Sequence, residues 1–257
     1  MIFAAGLGTR LKPITDVMPK ALVTVGNRPL IDIVMTRLSS FGYDRFVVNV
    51  HHFAQQIIDH LRYAEGVRIS DESAMLLDTG GGLKKAAPLF WDENEPILIH
   101  NVDILDNVDY DWFRRQHCDD EDAVLLVSRR KTKRYLLFDS AMRLMGWTNI
   151  DTGEIRSPFP WLRTAGVTVC DDFQVVLHPL SSEGAGVRLY AFAFSGIHSF
   201  SPRLFRLMDR FPDKFSIIDF YLSVCHRSRI MGCVSNDLRI LDVGKIDSLS
   251  EAEAFFQ

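Results

Sequence analysis

"FAAGLGTRLKPITDVMPKAL", residues 3–22, sets a glycine-rich turn directly after a very short apolar run. Gly6 and Gly8 can take positive φ and bring backbone N–H groups close to an anion. Arg10 adds a planar donor fork, and Lys20 adds a mobile point charge. Together they suit a polyphosphate. A dinucleotide loop would need G-x-G-x-x-G, but position 11 is Leu11. A P-loop would need G-K-[ST] after a four-residue gap, which the stretch lacks. Glycine pairs are common, so Gly-x-Gly alone would favour a tight strand–helix turn with two incidental surface cations. The full run Gly6-x-Gly8-Thr9-Arg10-Leu11-x-Pro13-x-Thr15-x-x-x-Pro19-Lys20 is far more specific.

Outward from this stretch, the first half of the chain alternates strand and helix signals. After Pro29, Leu30, Ile31, Ile33, Val34, Leu38 and Phe41 recur at helical spacing, and Gly42 closes the segment. "RFVVNV" (45–50) reads as a buried strand, "AQQIIDHLRY" (54–63) as a helix and "VRIS" (67–70) as a strand. "GGLKKAAPLF" (81–90) opens on glycines and continues as a short helix, and "PILIHNVD" (96–103) is a buried strand ending in an acid. This order predicts an α/β, three-layer, Rossmann-like, mainly parallel sheet. Ligands in such sheets bind outside the carboxyl ends of the strands, which singles out residues 6–10, 49–52, 71–82 and 101–106.

The middle of the chain changes character. "YLLFD" and "RLMGWTN" flank Ser140-Ala141 and predict a β-hairpin. Residues 150–188, with Pro158, Pro160, Pro179, Gly184 and Gly186, read as a long loop of the kind that forms lids. Regular structure returns with "LYAFAFSGI" (189–197), helices follow from Pro202 and Ser216, "RILDVG" (239–244) reads as a late strand ending in an acid, and 247–256 as helical.

The chain has 257 residues, 47% of them apolar and 24% charged, with a formal net charge of -4. A weakly acidic surface argues against general nucleic-acid binding. No run approaches the ~20 apolar residues that span a bilayer. The four cysteines form no Cys-x-x-Cys pair. No signal peptide is visible, so a cytoplasmic location is expected.

The opening run resembles the N-terminal motif of the sugar-1-phosphate nucleotidyltransferases, the NDP-sugar pyrophosphorylases. "VNVHHFAQQIIDHL" (48–61), "LDTGGGLKKA" (77–86), "NVDIL" (101–105), "FSGI" (194–197) and "LDVG" (241–244) follow in the family's order. "TGGG" and the lack of a β-helix domain point to the short members resembling N-acetylmuramate α-1-phosphate uridylyltransferase. The resemblance implies one domain over 1–257, with a nucleotide-binding half (1–128) and a half (129–257) bearing the sugar site and a second metal ligand. The hairpin and loop insertion would serve the sugar.

The implied reaction is nucleotidyl transfer from an NTP to a sugar 1-phosphate, dependent on Mg²⁺ and releasing pyrophosphate. UTP is the expected nucleotide, with an N-acetylmuramate 1-phosphate-like or mannose 1-phosphate-like sugar. The attacking oxygen is already an anion, so positioning and electrostatics should dominate over general base catalysis. By resemblance, Ala5, Gly6, Gly8, Thr9, Arg10, Lys20, Gly80, Gly81 and Asn101 bind the nucleotide. Arg10, Lys20 and Asp103 are the catalytic residues, and Asp103 and Asp242 hold the metal. Mg²⁺ is usually held by one or two carboxylates plus substrate phosphates.

Trp147, Asn149, Ser195 and Gly196 are the sugar candidates, although a core Trp and a turn Asn read equally well. The family often has Gly where this chain has Val102, and Thr-Pro where it has Lys245-Ile246. His51-His52 reads as structural, and "RRKTKR" (129–134) as a solvated loop. A phosphocholine-type cytidylyltransferase and a catalytically silent nucleotide-sugar-binding regulator are the competing readings. The family often assembles, which leaves a homo-oligomer open. Only five residues precede Gly6, so either the natural chain starts upstream or the first strand is short.

Overall fold

The computed structural model describes residues 1–92, 94–178 and 187–255. In the first half, β1 (Ile2–Phe3) leads into the glycine loop, and the hairpin β2 (Thr24–Val25) and β3 (Arg28–Pro29) precedes α1 (Leu30–Ser40). Then come β4 (Phe46–Val50), α2 (Ala54–His60), β5 (Val67–Asp71), α3 (Asp78–Ala86), β6 (Ile97–Asn101), β7 (Ile104–Asp106) and α4 (Tyr110–Arg114). The first strand is short, two residues long, yet it sits centrally, parallel to both β4 and β6.

The second half is mostly β. It contains β8 (Ala123–Ser128), β9 (Arg134–Asp139), β10 (Leu144–Asn149), β11 (Glu154–Arg156), α5 (Pro160–Arg163), β12 (Gly166–Val169), β13 (Gln174–His178) and the long β14 (Leu189–Phe200). It ends with α6 (Phe205–Met208), α7 (Ile217–Val224), β15 (Ile230–Val234), β16 (Ile240–Asp242) and α8 (Asp247–Ala254). Pro179, Gly184 and Gly186 lie outside the described residues.

The principal sheet runs β11-β10-β9-β14-β6-β1-β4-β5, with β8 on β14 and β15 on β8. Its β6-β1-β4-β5 half is parallel, as the strand–helix alternation predicts. β14 runs antiparallel to β6, β8, β9 and β13, so the sheet as a whole is mixed rather than mainly parallel. Connection length accounts for one further antiparallel pair: parallel neighbours need a crossover, whereas β9 and β10 are joined by a tight turn and can only pair antiparallel. The segment read as a long loop also carries structure, because β12 and β13 pair and Val167, Val169, Val175 and Leu177 turn inward.

Side chains alternate faces along each buried strand, and this builds the layers. Val47, Ile97, Ile99, Leu125 and Val127 join one core with Leu83 and Ala86 of α3 and Phe220 of α7. Val48, Val50, Leu98, Val124 and Leu126 join the other with Leu30, Ile31 and Val34 of α1, Ile57 of α2 and Ala252 of α8. The sheet is therefore covered on both faces, which leaves the strand ends as the place where a ligand can reach it. Among the described residues no helix is long and apolar enough to cross a membrane.

Candidate active site

The loop after β1 leaves the sheet exposed over Gly6, Leu7, Thr9 and Arg10, while Ala4 and Ala5 remain buried. Gly8 takes φ +63, and its carbonyl accepts from the Leu11 N–H and the Thr15 hydroxyl, both at 2.8 Å. A Cβ on Gly8 would stand 2.7 Å from Thr15 Cγ2 and 3.2 Å from Lys20 Cβ, so only glycine fits both the dihedral and the space. Short 3₁₀ turns at Thr9–Leu11, Ile14–Asp16 and Lys20–Leu22 then fold the segment back. They return Lys20, a buried lysine, beneath the loop.

Lys20 Nζ is ion-paired with Asp103 Oδ2, and the two side chains are only 10% and 19% exposed. Asp103 occupies the turn between β6 and β7. Val102, where the family often has glycine, tucks its side chain into the core and donates its N–H to the Phe3 carbonyl at 3.1 Å. β16 pairs antiparallel with β7, placing Asp242 opposite Ile104, one residue from Asp103. Arg10 Nη2 meets Asp242 Oδ2 at 3.4 Å, an exposed and therefore weak pair. The structure thus brings Arg10, Lys20, Asp103 and Asp242, far apart in sequence, to the ends of adjacent strands.

The two carboxylates fit a hard divalent cation. Their oxygens are the ligand type Mg²⁺ prefers, and two protein carboxylates leave positions for phosphate oxygens. Among the described residues there is no cluster of three or more metal-ligating side chains, so substrate oxygens would have to complete such a site.

Behind the loop lies a network that sequence reading passed over. Asn49 Oδ1 accepts from the Ala4 N–H at 2.8 Å, and Asn49 Nδ2 donates to Glu72 Oε1 at 2.7 Å. Glu72 Oε2 accepts from the Leu77 N–H at 3.1 Å. Burial raises the Glu72 pKa above the usual carboxylate range, against the opposing hydrogen bonds from Asn49 and Leu77. The only sequence signal was an acid at a strand end, and acids are mostly exposed, so nothing there pointed to burial.

Gly80, Gly81 and Gly82 do not open a turn before the helix. They lie inside α3 and are buried. Gly80 faces the Phe215 ring, Gly81 the Asp213 carbonyl and Gly82 the Glu72 carboxylate. The Gly80 N–H donates to Phe215 O at 2.9 Å. These glycines let α3 press against protein on both sides.

Of the remaining candidates, Asn101, Ser195 and Gly196 come together near the Asp103 turn, while Trp147 and Asn149 serve other contacts. Asn101 lies against Gly196, whose added Cβ would sit 2.6 Å from Asn101 Nδ2. Ser195 Oγ accepts from the Ile197 N–H at 3.1 Å within the β14 irregularity. Trp147 is part of the core, with the Arg156 guanidinium 3.9 Å from its ring centre, and Asn149 Oδ1 accepts from the Asp151 N–H at 3.1 Å to close a turn. His51 Nδ1 and His52 Nε2 donate to the carbonyls of Glu72 (2.7 Å) and Thr15 (3.0 Å), which is a structural use of both rings. In the basic run, Lys131 pairs with Asp171 at 3.1 Å on the open surface.

Residues 1–135 match the nucleotidyl transferase family. The chain is 43% identical over 109 residues to N-acetylmuramate alpha-1-phosphate uridylyltransferase of Caulobacter vibrioides, covering 40% of this chain and 44% of that protein. It is 38% identical over 114 residues to the enzyme of the same name from Neisseria meningitidis serogroup B, covering 43% and 48%. The chain spans about half the length of the curated relatives it matches. The crystal structure of HddC from Yersinia pseudotuberculosis complexed with GMP-PN superposes with a TM-score of 0.65 at 22% identity, covering 100% of this chain and 98% of that one.

Proposed function

The chain belongs to the nucleotidyl transferase family, and we propose that it transfers a nucleotidyl group from an NTP to a sugar 1-phosphate, giving an NDP-sugar and pyrophosphate. The observation that carries this reading is the meeting of Lys20 with Asp103 and of Arg10 with Asp242 at neighbouring strand ends beside the glycine loop.

The reaction joins two anions, so the barrier is chiefly one of charge and alignment. The Gly6–Arg10 loop, exposed over Gly6, Leu7, Thr9 and Arg10, would hold the triphosphate through backbone N–H groups and the Arg10 fork. Lys20 would face the transferring phosphate and stabilise the charge that develops there. The sugar phosphate oxygen attacks the α-phosphorus in line, the bond to the β-phosphate oxygen breaks, and pyrophosphate leaves. Asp103 and Asp242 would hold Mg²⁺, which when bound neutralises phosphate charge. An anionic nucleophile requires no general base, so this reading asks none of these residues to take up a proton.

The uridylyltransferases of Caulobacter and Neisseria favour UTP and an N-acetylmuramate 1-phosphate-like sugar as substrates. A screen of the common NTPs against a panel of sugar 1-phosphates, read by chromatography of the NDP-sugar, tests the proposal. It predicts product from UTP with a sugar 1-phosphate and none with phosphocholine. Product with phosphocholine alone would move the reading to the cytidylyltransferase type.

A further inference from the structure

Asp106 is 2% exposed and faces no solvent, yet every acceptor position of its carboxylate is used. Oδ1 accepts from the Val108 N–H at 2.8 Å and from Arg37 Nε at 3.2 Å. Oδ2 accepts from the Tyr110 hydroxyl at 2.9 Å and meets His100 Nε2 at 3.1 Å. The other ring nitrogen of His100 donates to the Asn101 carbonyl at 2.7 Å. Burial alone would raise the Asp106 pKa, but the hydrogen bond and charge of His100 and the charge of Arg37 outweigh it and hold the carboxyl below its usual range.

Burying such a network carries a desolvation penalty, and an apolar pair of similar volume would often serve stability as well. Its placement suggests what the charges add. His100 is near the end of β6 and Asp106 ends β7, so their contact spans the two strands that flank the Val102–Asp103 turn. β7 is also the strand on which β16 lies, with Ile240 opposite Asp106 and Asp242 opposite Ile104. The Arg37 guanidinium, which also donates to the Val108 carbonyl at 2.7 Å, ties the same strand end to α1. One carboxylate therefore anchors the strand from which both Asp103 and Asp242 take their positions.

We propose that Asp106, acting through His100, is a positioning residue that holds the Asp103 and Asp242 carboxylates in register with each other. The proposal rests on the assignment of these two residues as metal ligands. Asp106 touches no candidate substrate group, so its effect should appear in metal affinity and not in nucleotide recognition.

Mn²⁺ is a suitable probe, because the free ion gives an electron paramagnetic resonance signal that binding removes. The titration is run on the full chain with UTP present, and the signal lost to UTP alone, measured without protein, is subtracted. Asp103→Asn should abolish high-affinity binding and so locate the site. Asp106→Asn and His100→Leu should each weaken Mn²⁺ by about tenfold or more, the usual cost of losing a group that orients a ligand. His100→Gln, whose amide can replace the Nε2 donor, should recover part of the loss. Ile57→Val, a truncation in α2 remote from the turn, controls for general loosening and should leave Mn²⁺ affinity unchanged. Urea unfolding of each variant establishes that it is folded during the titration, and the histidine pair carries the test if Asp106→Asn does not fold. Affinities of Asp106→Asn and His100→Leu within about twofold of wild type, while Asp103→Asn loses binding, would overturn the positioning role alone. Unchanged binding by Asp103→Asn would overturn the ligand assignment, and the positioning role with it.

Discussion

The Val243 N–H donates to the Asp103 carbonyl at 2.8 Å, so the two carboxylate-bearing segments are tied by backbone at the point where they meet. The adjacent β7–β16 pairing extends that tie over three residues on each strand. Side-chain substitutions at Asp103 or Asp242 should therefore leave the backbone frame in place, and their effects on activity can be read as effects on charge.

Lys20→Met should lower pyrophosphate release about 10²- to 10³-fold, the range found when one preorganised donor to a developing charge is removed. The loss should fall on kcat, with the far-UV spectrum of the variant unchanged. A Lys20→Met enzyme that keeps wild-type kcat would remove Lys20 from the reaction.

Gly82→Ala should destabilise the fold by roughly 1–3 kcal/mol through overpacking. The new methyl would lie 2.6 Å from Glu72 Oε1 and 2.9 Å from Asn49 Nδ2, both fixed by hydrogen bonds. Urea unfolding measures this directly. A Gly82→Ala midpoint equal to wild type would show that the Asn49–Glu72 network can move aside.

The parts of this molecule that were legible in the sequence are those with local signals. The β4 run of β-branched residues, the apolar spacing of α1 and the order of strand and helix required no partner to interpret. The glycine loop and the strand-end acids Asp103 and Asp242 could be named because each sits beside a recognisable pattern. What escaped depended on tertiary neighbours. Gly80–Gly82 look like a turn until Phe215, Asp213 and Glu72 are seen packed against them, and Trp147 suits a sugar until Arg156 covers it. β12 and β13 were hidden because short strands with only two or three inward residues carry little periodicity. The Asp106 network was invisible because an aspartate after a strand gives no sign of being buried.

His198 should make the fold acid-sensitive. It is fully buried in β14 between the rings of Phe194 and Tyr221. Burial, with smaller contributions from the Met1 ammonium and His100, lowers its pKa from 6.5 to about 3. Between those values the unfolded chain binds more protons than the folded one, so stability rises with pH across this window and falls on acidification. The contribution of one such group reaches about 1.4 kcal/mol per pH unit. His198→Phe should flatten the fall in thermal midpoint between pH 7 and pH 5. An equally steep fall in that variant would show that other groups govern the acid limb.

Tyr221→Phe should be neutral or stabilising by up to about 1 kcal/mol. The Tyr221 hydroxyl is buried with no hydrogen-bond partner among the described residues, and an unmet buried hydroxyl costs free energy that the ring alone does not. Chemical denaturation decides the sign, and a destabilisation of about 1 kcal/mol or more would show that the hydroxyl is satisfied in solution.

The most direct test of the catalytic account is pyrophosphate release from UTP and a sugar 1-phosphate in Mg²⁺, compared between wild type, Asp103→Asn and Asp242→Asn. Release by the wild type that requires both substrates and stops on chelation, with a loss of about 10²-fold or more in each variant, is the predicted result. Wild-type rates in Asp103→Asn would contradict it.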